Sequence, residues 1–221
     1  MSSRIGVKIC GLREPKHVDA AAKSGAAYIG LVFFEKSPRH VTIEQAHALS
    51  AQAPPGVAKV GLAVNPSDAF LDELMARVPL DLIQLHGQEP AERVVQIRAR
   101  LGLPVMKAVG IACADDLLKL DTYMKVADQV LVDAKPSAEG ELPGGNGLSF
   151  DWRLIAARRW PVPWMLAGGL SPDNVAQAVA LTGAQQVDVS SGVECAPGVK
   201  DPRLIRDFIA SAQGMPAFPA A

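Results

Sequence analysis

Eight short apolar runs recur along this 221-residue chain at a spacing of roughly 20 to 30 residues, and that rhythm restricts its fold more than any other feature. The runs cover residues 5–10, 28–34, 57–64, 80–85, 105–109, 129–133, 162–167 and 186–190. Most are too short for helices and are apolar at consecutive positions, the pattern of strands covered on both faces. Between them lie helical patterns with recognisable starts. Thr42 and Gln45 have the spacing of a capping box, and Asn65-Pro66, Ser171-Pro172 and Asp201-Pro202 each set a capping residue before a proline suited to the first helical position. Strands alternating with helices predict an α/β fold, a single (β/α)8 TIM barrel over residues 1–213, with a frayed tail at 214–221. An open doubly wound sheet is the alternative, but the usual dinucleotide fingerprint is absent after the first strand.

Twenty-two Lys and Arg against 23 Asp and Glu leave no basic surplus for nucleic acid or an anionic membrane. Cys10, Cys113 and Cys195 are odd in number and far apart, and no Cys-x-x-Cys or His-rich cluster suggests a metal site. The chain enters its first strand directly after Met1-Ser2-Ser3-Arg4, without the apolar stretch of a secretory signal, and no apolar run reaches membrane-spanning length. A cytoplasmic protein in a reducing compartment is expected.

In such a barrel chemistry sits where strands end and βα loops begin. Cys10 and Asp133 each close an apolar run at such a point. A thiol that ionises and a carboxyl that keeps its proton make a base and an acid for moving a proton at carbon. Alternatively, Cys10 is a packed core thiol, and Asp133 a helix cap or an ion-pair partner of Lys135. Arg39, after the second strand and the Phe33-Phe34 pair, suits a planar carboxylate, or simply faces solvent. Gly168 and Gly169 after the seventh strand, with Ser190, Ser191 and Gly192 after the eighth, occupy the two loops that commonly cradle phosphate, or else are plain tight turns. Gly145 and Asn146, in the long glycine- and proline-containing loop at 135–147, are a candidate third wall. His86 and Asp188 reach the same rim, unless both are satisfied structural groups.

Taken together, these motifs resemble phosphoribosylanthranilate isomerase of tryptophan biosynthesis, over about residues 7–201. The resemblance rests on Lys-Ile-Cys-Gly at 8–11, Gly-Leu-Val-Phe at 30–33, Ser-Pro-Arg at 37–39, Gln-Leu-His-Gly at 84–87 and the Asp133 strand end. Pro-Gly-Gly-Asn-Gly at 143–147, Phe-Asp-Trp at 150–152, Leu-Ala-Gly-Gly-Leu at 166–170 and Asp-Val-Ser-Ser-Gly-Val-Glu at 188–194 continue it in order. It implies an Amadori rearrangement with Asp133 as general acid and Cys10 as base, needing neither metal nor organic cofactor. It also implies Arg39 at the anthranilate carboxylate, Gly168, Gly169, Ser190, Ser191 and Gly192 at the phosphate, and Asp188 and His86 between. The partner implied is a small phosphorylated substrate, with monomer or homodimer both open. Arg13, Ala63 and Asn146 depart from the family pattern, and Arg13 is expected to favour the Cys10 thiolate if its side chain turns inward. The nearest rivals are an indoleglycerol-phosphate synthase, a histidine-pathway aminoaldose isomerase, and a barrel that binds its ligand without turnover.

Overall fold

The computed structural model describes residues 4–135, 144, 145 and 147–214. Eight parallel strands close a barrel in sequence order, with β8 paired back onto β1. They are β1 (Gly6–Cys10), β2 (Tyr28–Phe33), β3 (Ala58–Ala63), β4 (Leu82–Leu85), β5 (Val105–Ile111), β6 (Gln129–Ala134), β7 (Trp164–Leu166) and β8 (Gln186–Val189). All eight apolar runs therefore supply a strand.

Strand alternation divides the core in two. Val60, Leu82, Met106, Leu131 and Met165 fill the barrel interior. Val7, Ile9, Ile29, Leu31, Ile83 and Val130 face outward into a larger layer beneath the helices. Each buried aliphatic side chain contributes about 1.5–3 kcal/mol, so both faces of the strands are held and the mouth of the barrel rests on a packed floor.

The helices are α1 (Pro15–Ser24), α2 (Ile43–Gln52), α3 (Asp68–Arg77), α4 (Ala91–Leu101), α5 (Leu117–Tyr123), α6 (Val175–Thr182) and α7 (Pro202–Ala212). Thr42 and Gln45 form the expected capping box, and Asp201 caps α7 with Pro202 in its first turn. Two expected starts are displaced. Asn65 has φ 47° and is tied to the loop after β4, its side-chain oxygen accepting from Gln88 N at 2.8 Å, so Ser67 caps α3 instead. Ser171 donates its N–H to Asn174 Oδ1, which forms a turn ahead of α6, and the helix begins only at Val175.

Strand and helix do not alternate throughout. Between β6 and β7 the described residues hold only a 3₁₀ turn, Trp152–Leu154, capped by Asp151 and followed by Pro161 and Pro163, which leave little room for a helix. An unforeseen hairpin, β9 (Glu194–Ala196) with β10 (Val199–Lys200), separates β8 from α7. The expected frayed tail lies outside the described residues apart from Gly214.

Candidate active site

Cys10 and Asp133 come to the same opening, at the C-terminal ends of β1 and β6, and both line a cleft with Arg39, His86 and Asp188. The cleft encloses about 480 Å³ of space, part of it open to solvent. It shares Asp133, Gly144, Gly145, Asp188 and Ser190 with a neighbouring cleft of about 400 Å³, so the two are continuous. One end is apolar, walled by Val32, Phe34, Leu62 and Val64 around Cys10. The other is built from glycine and serine: Gly168, Gly169, Ser190 and Ser191 line it, the two glycines with φ of 86° and 63°. Gly192 does not line this end. A Cβ there would lie 1.9 Å from Leu170 O, so its role is to let the loops after β7 and β8 touch.

Cys10 is a free, buried thiol. Burial pushes the thiol above its ordinary value; Lys8 and Lys200 pull it back, while Asp188 pushes it further up. Lys8 is fully buried and donates to Asp188 Oδ1 at 2.8 Å, the two residues standing side by side on β1 and β8. Burial opposes its charge, yet Asp188 and Cys10 hold its ammonium above the ordinary value. Arg13 takes no part: it is exposed and donates to Pro38 O at 2.9 Å, so the inward turn expected for it is not made.

Asp133 is buried, and its Oδ1 accepts from Ala134 N at 2.8 Å. Its Oδ2 lies 3.3 Å from His86 Nε2, and His86 Nδ1 lies 2.9 Å from Gln84 Nε2. With Gln84 donating, the ring carries its hydrogen on Nε2, toward Asp133 Oδ2. Lys135 pairs with Asp116 rather than Asp133, which leaves Asp133 to the cleft. Above this pair lies Gly144, where a Cβ would come within 2.6 Å of His86 Nε2 and 2.8 Å of Asp133 Oδ2. Gly145 O accepts from Arg39 Nη2 at 3.1 Å, so Gly144 and Gly145 reach from the His86–Asp133 pair to Arg39. Asn146, the other residue expected in this wall, lies outside the described residues.

Arg39 is buried and crosses the end of β1, where Gly11 makes room: a Cβ at Gly11 would sit 2.7 Å from Arg39 Cδ. Its Nε and Nη2 form a two-pronged bond to Glu194, each at 2.8 Å. Nη1 has no partner among the described residues. Burial works against the Glu194 carboxylate, but Arg39 and Lys200 hold it below the ordinary range. Lys200 is likewise buried and donates to Glu194 Oε1 at 2.7 Å and Ser190 O at 2.9 Å.

Sequence reasoning did not single out Lys8, Glu194 or Lys200 as site residues. Lys8 carried a usable signal, a lysine inside an apolar strand two residues before the strand-end thiol, because such a charge must find a partner. No group of His, Cys, Asp and Glu among the described residues has metal-holding geometry, and no helix among them is long and apolar enough to cross a membrane.

An opening that offers backbone and hydroxyls at one end, a guanidinium near the other, and a thiol opposite a carboxyl between them defines a class: (β/α)8 enzymes that act on small phosphorylated molecules. The family model described as N-(5′-phosphoribosyl)anthranilate (PRA) isomerase matches residues 7–211, and the chain belongs to that family. It is 61% identical over 209 residues to an N-(5′-phosphoribosyl)anthranilate isomerase of Cereibacter sphaeroides, covering 95% of this chain and 99% of that protein. To the corresponding isomerase of Paracoccus denitrificans it is 62% identical over 208 residues, covering 94% and 97%. Among solved structures, phosphoribosyl anthranilate isomerase from Thermotoga maritima superposes with a TM-score of 0.85 at 37% identity, covering 96% of this chain and all of that one. A phosphoribosyl anthranilate isomerase bound to reduced 1-(o-carboxyphenylamino)-1-deoxyribulose 5-phosphate gives 0.83 at 35% identity, covering 96% of this chain and 100% of that one.

Proposed function

We propose that this protein is a phosphoribosylanthranilate isomerase of tryptophan biosynthesis, converting N-(5-phosphoribosyl)anthranilate to 1-(2-carboxyphenylamino)-1-deoxyribulose 5-phosphate, with Cys10 and Asp133 as its proton-transfer pair. The observation that carries the assignment of the pair is that both residues line one cleft, between a glycine–serine end and Arg39.

In this reading the phosphate rests on the loops of Gly168, Gly169, Ser190 and Ser191, with Gly192 holding those loops together. The anthranilate ring lies against Val32, Phe34, Leu62 and Val64, with its carboxylate toward Arg39 Nη1. Holding both charged ends aligns the sugar between acid and base, which is where remote binding energy helps the reaction.

Asp133 delivers its proton to the ribose ring oxygen. The C1′–O4′ bond breaks, its electrons stay on oxygen, and the nitrogen lone pair forms the C1′–N iminium. His86, 3.3 Å away, holds the carboxyl oriented. The Cys10 thiolate then takes the proton from C2′. The C–H electrons form a C1′–C2′ double bond and the iminium electrons return to nitrogen, giving the enolamine. Protonation at C1′ and loss of the O2′ proton give the ketone. The iminium is itself the electron sink, so this route calls on neither metal nor organic cofactor.

The groups needed all come from one chain, which suits a monomer and a homodimer alike. A substrate with a phosphate and a carboxylate does not cross a bilayer unaided, which supports a cytoplasmic location. The test is to mix the purified protein with fresh phosphoribosylanthranilate and follow anthranilate-type fluorescence. Loss faster than spontaneous hydrolysis is expected. A rate equal to hydrolysis, with turnover of the histidine-pathway aminoaldose instead, would overturn the substrate assignment.

A further inference from the structure

Behind the cleft wall lies a chain of buried charges that the reaction scheme does not use. Lys8 and Asp188 pair one to one at 2.8 Å and cancel. Glu194, by contrast, is shared: Arg39 and Lys200 both donate to its Oε1, at 2.8 and 2.7 Å. Two cations on one carboxylate leave a surplus positive charge, and the Lys200 side chain is fully buried, off the lining of either cleft. Its ammonium also donates to Ser190 O at 2.9 Å, and Ser190 Oγ donates to Cys10 O at 3.2 Å. The surplus charge is thus one residue removed from the backbone of the proposed base.

We propose that Lys200 is a positioning residue for Cys10: its buried ammonium favours the thiolate and fixes the Ser190 turn against which Cys10 rests. This builds on the reading of Cys10 as the base. Every charged neighbour of that thiol is accounted for: Lys8 on its own strand, Asp188 on β8 and Lys200 on β10 beside it, with Arg39, His86 and Asp133 on the same cleft. Lys8 pulls on the thiol more strongly than Lys200, but its partner Asp188 pushes the other way, so Lys200 adds the positive charge that no carboxylate of its own cancels. Burial draws the Lys200 ammonium down and Glu194 opposes that pull, which makes the hairpin's ion pair part of the device.

The test uses the full chain with Cys113→Ser and Cys195→Ser, so that iodoacetamide reports Cys10 alone. Lys200→Gln keeps a donor for Ser190 but removes the charge, whereas Lys200→Arg keeps the charge. The midpoint of alkylation against pH is expected to rise by about one unit or more in Lys200→Gln, a tenfold loss of thiolate at fixed pH, and to stay near wild type in Lys200→Arg. Turnover should follow as a fall in kcat with KM held within about twofold. Lys200→Met gives the same reading if the glutamine variant does not fold. An unchanged midpoint in the neutral variants, or an equal shift in Lys200→Arg, would overturn the proposal. Alkylation needs no turnover, so this outcome stands apart from whether Cys10 is the base, which Cys10→Ala in the fluorescence assay decides.

Discussion

Gly144→Ala adds one methyl carbon where the His86–Asp133 pair leaves no room for it. The new Cβ would stand 2.6 Å from His86 Nε2 and 2.8 Å from Asp133 Oδ2, whereas ordinary contact begins at 3.4 Å. The backbone at Gly144, or the His86–Asp133 pair, must therefore give way by roughly 0.6–0.8 Å. A misplacement of about 1 Å at a reacting centre costs about a hundredfold, so kcat is expected to fall by about ten- to a hundredfold. Gly144 is not among the glycines with positive φ, so alanine strains no backbone there and only the contact is at stake. Unfolding in urea should change by less than about 0.5 kcal/mol, because the methyl group enters a cleft and not the core. Gly102→Ala is the control: it has φ 64° and nothing within 4 Å, so it should lower stability slightly and leave kcat alone. A Gly144→Ala enzyme with kcat within twofold of wild type would show that the loop stands clear of the pair during turnover, and the reasoning would fail.

In the free protein with Cys113→Ser and Cys195→Ser, alkylation of Cys10 is expected to climb with pH through a midpoint above the value of about 8.5 for an unperturbed thiol, because burial outweighs the nearby cations. A midpoint at or below that value would contradict the burial argument. Lys107→Met removes a buried ammonium that meets Glu89 Oε2 at 3.0 Å and Gly87 O at 2.8 Å, leaving the Glu89 carboxylate without its cation. Stability should drop by about 3–5 kcal/mol in denaturant titration, and a loss under 1 kcal/mol would refute the pairing as a support of the His86 loop.

The barrel was legible because parallel strands buried on both faces write themselves as short apolar runs, and each of the eight did so. Caps that depend only on neighbours, such as Thr42 with Gln45, were equally plain. Asn65 and Ser171 misled because distant or competing partners, Gln88 in one case and Asn174 in the other, claimed the turn. Among the described residues no helix follows β6; the glycine- and proline-containing segment there had marked a loop but not the loss of an element. In the site, strand-end position made Cys10, Asp133 and His86 candidates, and the ordered set of motifs gave them roles. Pairings between residues far apart in the chain were not found this way. Arg39 finds Glu194 after 155 positions and Lys8 finds Asp188 after 180, and no local pattern announces either. No element is assigned to the stretch 194–200 from the sequence, yet it delivers both Glu194 and Lys200 to the buried side of the cleft.

The most direct measurement of the proton-transfer account is turnover of phosphoribosylanthranilate by Cys10→Ser and Asp133→Asn, alongside their affinity for the reduced product. Both substitutions preserve shape and remove one proton-transfer group, so each should lose two or more orders of magnitude in kcat, while the reduced product binds within a few-fold of wild type. Near-normal turnover in both variants would contradict the assignment of Cys10 and Asp133 as base and acid.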